Sequence, residues 1–403
     1  MKNLNMTFAI IALGLLVTST DFVENKPNNP AMNIPEDLFY LPNTSNTINP
    51  MKNTYIQITA YAVGQGDYTS IICPNGDLVI IDMGSTRGTS FKGQQINDLL
   101  KDYFSHNPTS KMRIIVTHPD RDHYNLFQTG LNNLNSKVDY FILSGKYSDY
   151  KAFKTWLENS FSANQINVIN QGYKCYGNSE CKVSPPGKNS PVINPQTLCN
   201  NDPLVNWNIL GANLGKSKNS QSAVIKLQYY NNRLSTVLFP GDFETDDAQE
   251  DLINHYAGTR DLEATIYKIA HHGASRLANN LEFLKAVQPQ TAFVSQAYPT
   301  TTFAHPRCDV IETPTGLLAV GSIQTVDPNI GLHSPFACGI ASKTPHVYAK
   351  WNHSIFATCR EPLTCYHTQI KLYSVAYSVS YIGPVPVTKM EDEIPDRTLH
   401  GKL

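Results

Sequence analysis

The stretch "IIVTHPDRDHYN", residues 114–125, joins an apolar run to a polar loop. The apolar run begins two residues earlier, as "MRIIVT". It is short and rich in β-branched residues, which predicts a buried strand. His118, Asp120, Asp122 and His123 follow within six residues. Imidazole nitrogens and carboxylate oxygens are natural ligands for zinc, manganese or iron. Because a loop leaving a buried strand can turn sharply enough to bring these groups together, the stretch predicts a metal site at a strand end.

Two further apolar strands end in residues of the same kind. "STVLFPGD" ends with Asp242, and "YKIAHHGA" ends with His271 and His272. Taken alone, Asp242 is also typical of an N-cap before the helical segment that follows it. The histidine pair is equally consistent with one buried and one exposed imidazole. Three strand ends that deliver Asp and His together favour a metal site built on a sheet.

The rest of the pattern predicts an α/β protein. Alternating or β-branched runs indicate strands, and stretches such as "QQINDLLKDYF" and "YKAFKTWLENSF" have the apolar spacing of helices. The order of these segments predicts two sheets with helices outside them. Residues 310–403 are rich in Tyr and Val and predict a β-rich C-terminal extension, either an accessory unit or extra strands on the main sheets.

Composition limits the classes of partner. The 403 residues are 41% hydrophobic and 16% charged, so a large core can form, and the formal net charge is −1. The chain has no overall excess of basic residues, which binding to a long nucleic acid or to an acidic membrane surface would favour.

Features of the N-terminal residues indicate export. Residues 1–20 have a lysine, a short apolar run and small residues, as a signal peptide does, and a retained anchor is the alternative. Residues 21–50 are an Asn- and Pro-rich arm. No later apolar run has spanning length. We therefore expect a secreted or periplasmic protein without a membrane span in its mature chain.

Eight cysteines fit an oxidising compartment. Residues 172–204 hold three of them among several prolines, which predicts a disulfide-tied insert. Cys175 with Cys181 and Cys359 with Cys365 are local candidate pairs, although the sequence leaves the connectivity open. Cys73 ends an apolar run and is either a buried thiol or the partner of a distant cysteine.

Six motifs occur in a fixed order between residues 55 and 306: "AVGQGDYTSIICPNGDLVIIDMGS", "VTHPDRDHYN", "NSQSAVIKL", "LFPGD", "IAHHGAS" and "FAHP". In this combination the chain resembles the metallo-β-lactamase superfamily, above all the extracytoplasmic domain of the competence DNA-uptake channel ComEC and its free-standing relatives. The resemblance implies an αββα sandwich of two mixed β-sheets flanked by helices. It places the catalytic domain at residues 51–309.

The resemblance also implies a set of metal ligands. It assigns His118, Asp122 and His123 to the family's H-x-H-x-D-H motif, with Asp120 where the second His usually stands. Asp242 matches the bridging aspartate and His271 the last metal-binding histidine, with His272 as the less favoured substitute. The family's middle histidine is missing, and Asn219 and Ser222 stand in its neighbourhood.

These departures predict two unequal metal pockets. One keeps Asp122, His123, Asp242 and His271, whereas the other has only His118, Asp120 and the shared Asp242. The second pocket is richer in carboxylate, which favours manganese or magnesium over zinc or leaves the pocket empty. We therefore expect one firmly bound and one weakly bound divalent cation, zinc or manganese.

The resemblance implies hydrolysis by a water that a bound cation acidifies to hydroxide near neutral pH. We expect Asp122 to orient that water or take its proton, and His305 to assist the leaving group or hold a substrate oxygen. A loop histidine without function is the other interpretation of His305. Asp67 and Asp82 are expected to hold ligands from behind or to contact substrate.

The sequence therefore favours a secreted metal-dependent phosphodiesterase or nuclease-like enzyme. The near-zero net charge favours a small phosphodiester over a long nucleic acid. Hydrolysis of a lactone, thioester or lactam is one alternative, and a non-catalytic binding module with a structural metal is the other. No protein partner is indicated.

Overall fold

The computed structural model describes residues 55–88, 91–188, 193–230, 235–274, 277–296, 305–307, 310, 337–340, 343–347, 355–361, 364–374 and 377–386. The predicted signal peptide 1–20 and the arm 21–50 lie outside the described residues, as does most of the segment 310–354. No helix in the described part of the chain is long and apolar enough to cross a membrane.

Two mixed β-sheets form the centre of the described structure, and their strands are numbered here in chain order. The first sheet contains β1 (Ile56–Ala60), β3 (Tyr68–Ile72), β4 (Leu78–Met83), β6 (Met112–Val116), β7 (Val138–Leu143), β8 (Ile166–Ile169), β10 (Val183–Ser184), β19 (Cys359–Glu361), β20 (Thr364–Leu372) and β21 (Tyr377–Pro386). The second contains β9 (Cys175–Tyr176), β11 (Val205–Ala212), β12 (Val224–Tyr229), β13 (Thr236–Phe239), β14 (Ile266–Lys268), β15 (Thr291–Val294) and β18 (Ile355–Ala357).

Each sheet joins parallel strands to antiparallel ones. In the first sheet β4, β6, β7 and β8 run parallel, β3 is antiparallel to β4, and β1 is antiparallel to β3. In the second sheet β13, β14, β15 and β18 run parallel, β12 is antiparallel to β13, and β11 is antiparallel to β12. Two small two-stranded sheets pair β2 (Gly64–Gln65) with β5 (Arg87–Gly88), and β16 (Ala337–Ile340) with β17 (Lys343–Val347).

Helices cover the outer face of each sheet. The α-helices are α1 (Gly93–His106), α2 (Phe127–Gly130), α3 (Lys151–Ser160), α4 (Gly177–Glu180), α5 (Asp246–His255) and α6 (Leu281–Val287). Helix α1 buries Ile96, Leu100 and Phe104 against the first sheet, in a cluster that also includes α3. Helices α5 and α6 bury Leu252 and Phe283 against the second sheet.

A third apolar cluster lies between the sheets. Val79 and Ile115 of the first sheet belong to it, as do Trp207 and Phe239 of the second. The central strands β4 and β6 are buried along their whole length, and their sequences, LVIIDM and MRIIV, are nearly continuous in apolar residues rather than alternating. The predicted α/β fold with two mixed sheets and outer helices is therefore present, in an arrangement compatible with a sandwich.

The C-terminal strands complete both sheets. Strand β20 pairs antiparallel with β1 of the first sheet, while β18 pairs parallel with β15 of the second. Of the two possibilities for residues 310–403, extra strands on the main sheets describe β18 to β21. The register also pairs Cys359 with Cys365 across β19 and β20, and the disulfide expected between them stays a prediction.

The insert 172–204 closes one edge of the molecule. Its strand β9 pairs with β11 of the second sheet, and its strand β10 pairs with β8 of the first. One disulfide joins Cys175 to Cys181 within the insert, as expected from their spacing. A second joins Cys73 to Cys199, 126 residues apart, so Cys73 is not a free thiol. The two bridges fit a protein of an oxidising compartment.

Candidate metal centre

The predicted site residues lie on loops that leave parallel strands of both sheets. His118 to His123 follow β6 of the first sheet, Asp242 follows β13, and His271 follows β14 of the second. The Ala223 N–H donates to the Thr117 carbonyl over 2.9 Å, which ties the two sheets together beside these loops. The carboxyl ends of these strands therefore meet at one place, as a site built on a sheet scaffold requires.

Two glycines allow the loops to approach each other closely. A Cβ atom on Gly84 would lie 2.3 Å from the Asp122 carbonyl carbon, and one on Gly66 would lie 2.3 Å from the Gly84 oxygen. Real Cβ atoms do not come so near to backbone. The Asp67 N–H also donates to the Asp122 oxygen over 3.1 Å. Gly66 of "GQGD" and Gly84 of "DMGS" therefore allow the loop that carries Asp122 to pack directly against the backbone of these two segments.

Four side chains converge in what we call the deep cluster: Asp122, His123, Asp242 and His272. The Asp242 Oδ2 atom lies 3.2 Å from His123 Nε2 and 3.5 Å from His272 Nε2. His272 Nε2 is also 3.6 Å from Asp122 Oδ2. Both rings are completely buried, and Asp242 is 3% exposed. The sequence favoured His271 for this group, whereas the structure places His272 there.

Protein groups hold both rings of the deep cluster from behind. His123 Nδ1 lies 2.8 Å from Asp82 Oδ2, and the same carboxylate accepts hydrogen bonds from the Thr117 N–H and hydroxyl, each over 2.7 Å. His272 Nδ1 donates to the Ser295 carbonyl over 3.0 Å. With each Nδ1 edge occupied in this way, each Nε2 atom faces Asp242.

Asp67 also belongs to this buried group. One ligand-type atom each of Asp67, His123, Asp242 and His272 lies within 4.8 Å of the others, so the group could hold a metal ion. However, Asp67 lies against the Nδ1 edges of the rings, 3.7 Å from His123 and 3.9 Å from His272. Its Oδ2 is 2.6 Å from the ammonium group of the buried Lys268. Its position therefore suits a carboxylate that supports the rings, as expected for Asp67 and Asp82.

Several atoms of the site lack hydrogen-bond partners among the described residues. They are His118 Nε2, His123 Nε2, His272 Nε2 and Asp242 Oδ1, all of them buried. Leaving a buried polar atom without a partner costs about 1–3 kcal/mol, so such atoms are rare unless something binds them. These nitrogen and oxygen atoms are the donor types that zinc and manganese take. The residues present therefore fit a divalent cation.

The charges of the site offset each other. Burial raises the pKa of Asp242, but the charges of His123, His272 and His271 outweigh burial and hold the pKa well below its usual range. Burial lowers the pKa of His123, but Asp242 and Asp82 raise it well above its usual range. Burial and the charge of His123 lower the pKa of His118. Because a cation replaces ring protons, its binding releases them.

A second group, which we call the rim cluster, contains His118, Asp120, His271 and the shared Asp242. His118 Nε2 lies 3.8 Å from Asp120 Oδ2 and 3.9 Å from Asp242 Oδ2. His271 Nε2 lies 3.8 Å from Asp242 Oδ2 on the same carboxylate oxygen. The side chains of Asp120 and His271 are 35% and 23% exposed, so this cluster opens toward solvent.

The remaining predicted residues lie around the two clusters. The Asn219 amide donates to Glu244 over 2.8 Å, and the Ser222 hydroxyl accepts the Asp242 N–H over 3.2 Å. Asp242 is not an N-cap, because α5 begins at Asp246 and Thr245 caps it. His305 lies with its ring centre 6.2 Å from that of His271. Burial and the charges of His272 and His271 lower the pKa of His305 to about 4.

Sequence reasoning missed three residues of the site. Glu244 contacts His271, Lys268 pairs with Asp67, and Ser295 accepts from His272. Lys268 had a visible signal, because a lysine inside the apolar strand "TIYKIA" needs a buried partner. Ser295 contributes only its backbone carbonyl, which no residue pattern reveals.

No protein-family model matches the chain, and no curated protein matches it.

Proposed function

We propose that the protein is a metal-dependent hydrolase of the metallo-β-lactamase type that cleaves phosphodiesters. The observation that carries the proposal is the deep cluster, where the unpartnered Nε2 atoms of the buried His123 and His272 face Oδ2 of the buried Asp242. Asp122, His123, Asp242 and His272 would hold the cation. When bound, a divalent cation acts as a Lewis acid and makes a water nucleophilic near neutral pH.

Asp122 is the residue we assign to the attacking water. Its side chain is 20% exposed, unlike the rings beside it, so a solvent molecule can reach the carboxylate. Burial raises the pKa of Asp122, but the contact with His272 and the charges of His123 and His272 lower it to about 2. Asp122 therefore stays ionised at neutral pH and can accept a hydrogen bond from water and orient it.

We assign His305 to contact with a substrate at the mouth of the site. Its Nδ1 lies 3.1 Å from the Gln65 amide nitrogen, which fixes the ring. With its pKa lowered to about 4, the ring is neutral at pH 7. A neutral ring suits hydrogen bonding to a substrate oxygen better than donation of a proton to a leaving group.

A phosphodiester suits the surroundings of the site better than an ester or lactam. The Lys218 ammonium group lies 2.8 Å from Asp120 Oδ1, and its side chain is 45% exposed. Arg121 is exposed on the same loop as Asp120. These cations at the rim favour an anionic substrate. Two clusters that share the Asp242 carboxylate also suit in-line displacement at phosphorus.

The proposal includes the fold family and the location. The layers, with helices outside two mixed sheets, support a relationship to the metallo-β-lactamase superfamily. The competence-type motifs of the sequence support its ComEC-like branch. The disulfides Cys73–Cys199 and Cys175–Cys181 support a secreted or periplasmic protein.

Cleavage of bis-p-nitrophenyl phosphate tests the proposal. Turnover is measured with Mn²⁺, with Zn²⁺ and with chelator for the wild type, His123→Ala and His106→Ala. His106 is an exposed histidine in the last turn of α1, so its variant controls for loss of an imidazole as such. We expect metal-dependent turnover that the chelator abolishes, that His123→Ala loses and that His106→Ala keeps.

If neither Mn²⁺ nor Zn²⁺ supports turnover, the proposed phosphodiesterase activity is contradicted. Lactone and thioester substrates would then separate acyl hydrolysis from a binding module without catalysis. Turnover that survives both chelator and His123→Ala would contradict the metal centre itself.

A further inference from the structure

The leaving oxygen of the proposed reaction has no protein donor among the residues assigned so far. When a phosphodiester is cleaved, negative charge develops on the oxygen of the departing alcohol, and a positively charged donor near that oxygen lowers the barrier. Asp122 is an anion and is assigned to the attacking water. His305 is neutral at pH 7, because its pKa is lowered to about 4. Neither residue offers a positive charge to the leaving oxygen.

Lys218 stands on the loop between β11 and β12, and its neighbours in the chain are fixed on both sides. The Ser217 hydroxyl donates to Ser220 Oγ over 2.8 Å and accepts the Ser220 N–H over 3.0 Å. Ser220 itself is completely buried. On the other side, the Asn219 amide donates to Glu244 over 2.8 Å. The backbone of Lys218 is therefore held in one position at the mouth of the site.

The side chain of Lys218 is directed toward the rim cluster. Its ammonium nitrogen lies 2.8 Å from Asp120 Oδ1, and the other oxygen of Asp120 lies 3.8 Å from His118 Nε2. One carboxylate therefore separates the ammonium group from the buried ring. An ammonium group has more than one N–H donor, and the Lys218 side chain is 45% exposed, so a substrate oxygen can reach it. Because an ion pair this exposed adds little to stability, Lys218 can be replaced with little effect on the fold.

The attacking water and Lys218 belong to different clusters. Asp122, to which the water is assigned, lies 3.6 Å from His272 Nε2 in the deep cluster, whereas Lys218 lies beside the rim cluster. Asp242 joins the two, with its Oδ2 3.5 Å from His272 Nε2 and 3.9 Å from His118 Nε2. In phosphoryl transfer the attacking and leaving oxygens lie roughly in line, on opposite sides of phosphorus. A diester that receives its water from Asp122 would therefore turn its leaving oxygen toward Lys218.

We propose that Lys218 is a catalytic residue that donates a hydrogen bond to the leaving oxygen of the phosphodiester. This role rests on the proposed function. In the step, the water oxygen forms a bond to phosphorus, the bond between phosphorus and the leaving oxygen breaks, and the leaving oxygen keeps the electron pair. The proton that the water loses returns to the leaving oxygen through solvent. The ammonium group stabilises the charge on that oxygen in the transition state, so its contribution grows as the departing alcohol becomes a weaker acid.

A series of leaving groups tests this role. The values of kcat and KM are measured with Mn²⁺ for ethyl p-nitrophenyl, ethyl p-chlorophenyl and ethyl phenyl phosphate, whose phenols are progressively weaker acids. The proteins are the wild type, Lys218→Met, Lys218→Arg and Lys216→Met. Lys216 is an exposed lysine on the same loop and provides the matched control.

The loss should depend on the leaving group. We expect Lys218→Met to lower kcat by about 10²- to 10³-fold for the phenyl ester, as removal of one donor to a developing oxyanion does, and by less than about tenfold for the p-nitrophenyl ester. KM should change little. Lys218→Arg keeps the charge and should recover part of kcat, whereas Lys216→Met should match the wild type with all three esters.

The outcomes separate this proposal from the proposed function. Equal losses for all three esters, or a change in KM alone, would show that Lys218 binds the diester anion rather than the leaving oxygen. An unchanged kcat in Lys218→Met would leave only a surface ion pair with Asp120. Either result overturns the role of Lys218 and leaves the hydrolase intact, as would an equal loss in Lys216→Met. If the wild type cleaves none of the esters, both proposals fail. Equilibrium dialysis with Mn²⁺ and thermal unfolding show whether Lys218→Met keeps its cation and its fold.

Discussion

The deep and rim clusters share Asp242 but differ in how the protein holds them. His123 and His272 are completely buried and are supported by Asp82 and by the Ser295 carbonyl. In the rim cluster, His271 is partly exposed and is supported by Glu244, itself at the surface of the site with 20% exposure. The two clusters thus have similar donor atoms in different surroundings.

This difference shows that the identity of the donor atoms alone does not predict which cluster binds a cation more tightly. Ligands that are already fixed in a buried position lose little freedom when a cation binds, whereas partly exposed side chains must be ordered first. We therefore expect the deep cluster to bind its cation more tightly and exchange it more slowly. The predictions that follow break or sharpen this contrast.

The largest effect should come from the residue that both clusters share. Asp242→Asn keeps the size of the side chain but removes the charge that faces His118, His123, His271 and His272. We expect turnover of the phosphodiester to fall by more than about 10³-fold and both Mn²⁺ affinities to weaken together. Steady-state kinetics and dialysis check this. Retention of one wild-type affinity would show that the clusters do not share Asp242.

Lys268→Met should lower the free energy of unfolding, because Lys268 pairs with the Asp67 carboxylate beside the deep cluster. It leaves the buried Asp67 without its 2.6 Å partner, and breaking a buried ion pair costs about 3–5 kcal/mol. Urea unfolding in chelator measures this free energy. The matched control is Lys226→Met, since the buried Lys226 donates to a backbone carbonyl rather than to a carboxylate. Equal losses in both variants would count against a special role for the Asp67 pair.

Asp82→Asn should weaken the deep cluster selectively. Asp82 holds His123 and has a φ of 57°, a conformation that asparagine also tolerates. We expect about a 10- to 100-fold loss of affinity for the more tightly bound Mn²⁺, with the weaker ion changed far less. Dialysis resolves the two affinities. Equal losses at both would contradict the division into two clusters.

The smallest effect should come from a histidine outside both clusters and should appear as a pH dependence of stability. His367 Nδ1 accepts the Ala62 N–H over 3.1 Å, and burial lowers the pKa of His367 from 6.5 to about 4. The folded protein therefore binds fewer protons at this residue than the unfolded chain between these pH values. The contribution of His367 to the free energy of unfolding is fully present above pH 6.5. It is lost as the pH falls toward 4, at no more than about 1.4 kcal/mol per pH unit.

The comparison of His367→Gln with the wild type isolates this contribution. A glutamine oxygen can accept the same N–H but does not titrate, so urea unfolding of the variant in chelator should have a shallower pH dependence below pH 6.5. Parallel curves for the two proteins would show that His367 carries no such linkage. Metal affinity should not change, because His367 contacts Ala62 rather than a cluster residue.

Local patterns predicted most of the fold. The run "MRIIVT" forms β6, and "QQINDLLKDYF" lies within α1, since short-range periodicity reports which faces are buried. The same patterns could not say where residues 310–403 attach. Strand β20 pairs with β1 across more than 300 residues, and such pairing depends on which sheet edge is open rather than on the strand's own sequence.

The candidate site shows the same division. The sequence by itself determined that Asp122, His123 and Asp242 stand at strand ends, because a run that is buried as a strand must leave its last polar residues at the sheet edge. Only the tertiary structure decided that His272 joins them and His271 turns to the rim, since that choice depends on two left-handed backbone conformations imposed by the surrounding loops. It also decided the pairings of Cys73 with Cys199 and of Lys268 with Asp67. Partners so far apart in the chain are selected by packing, which no local pattern encodes.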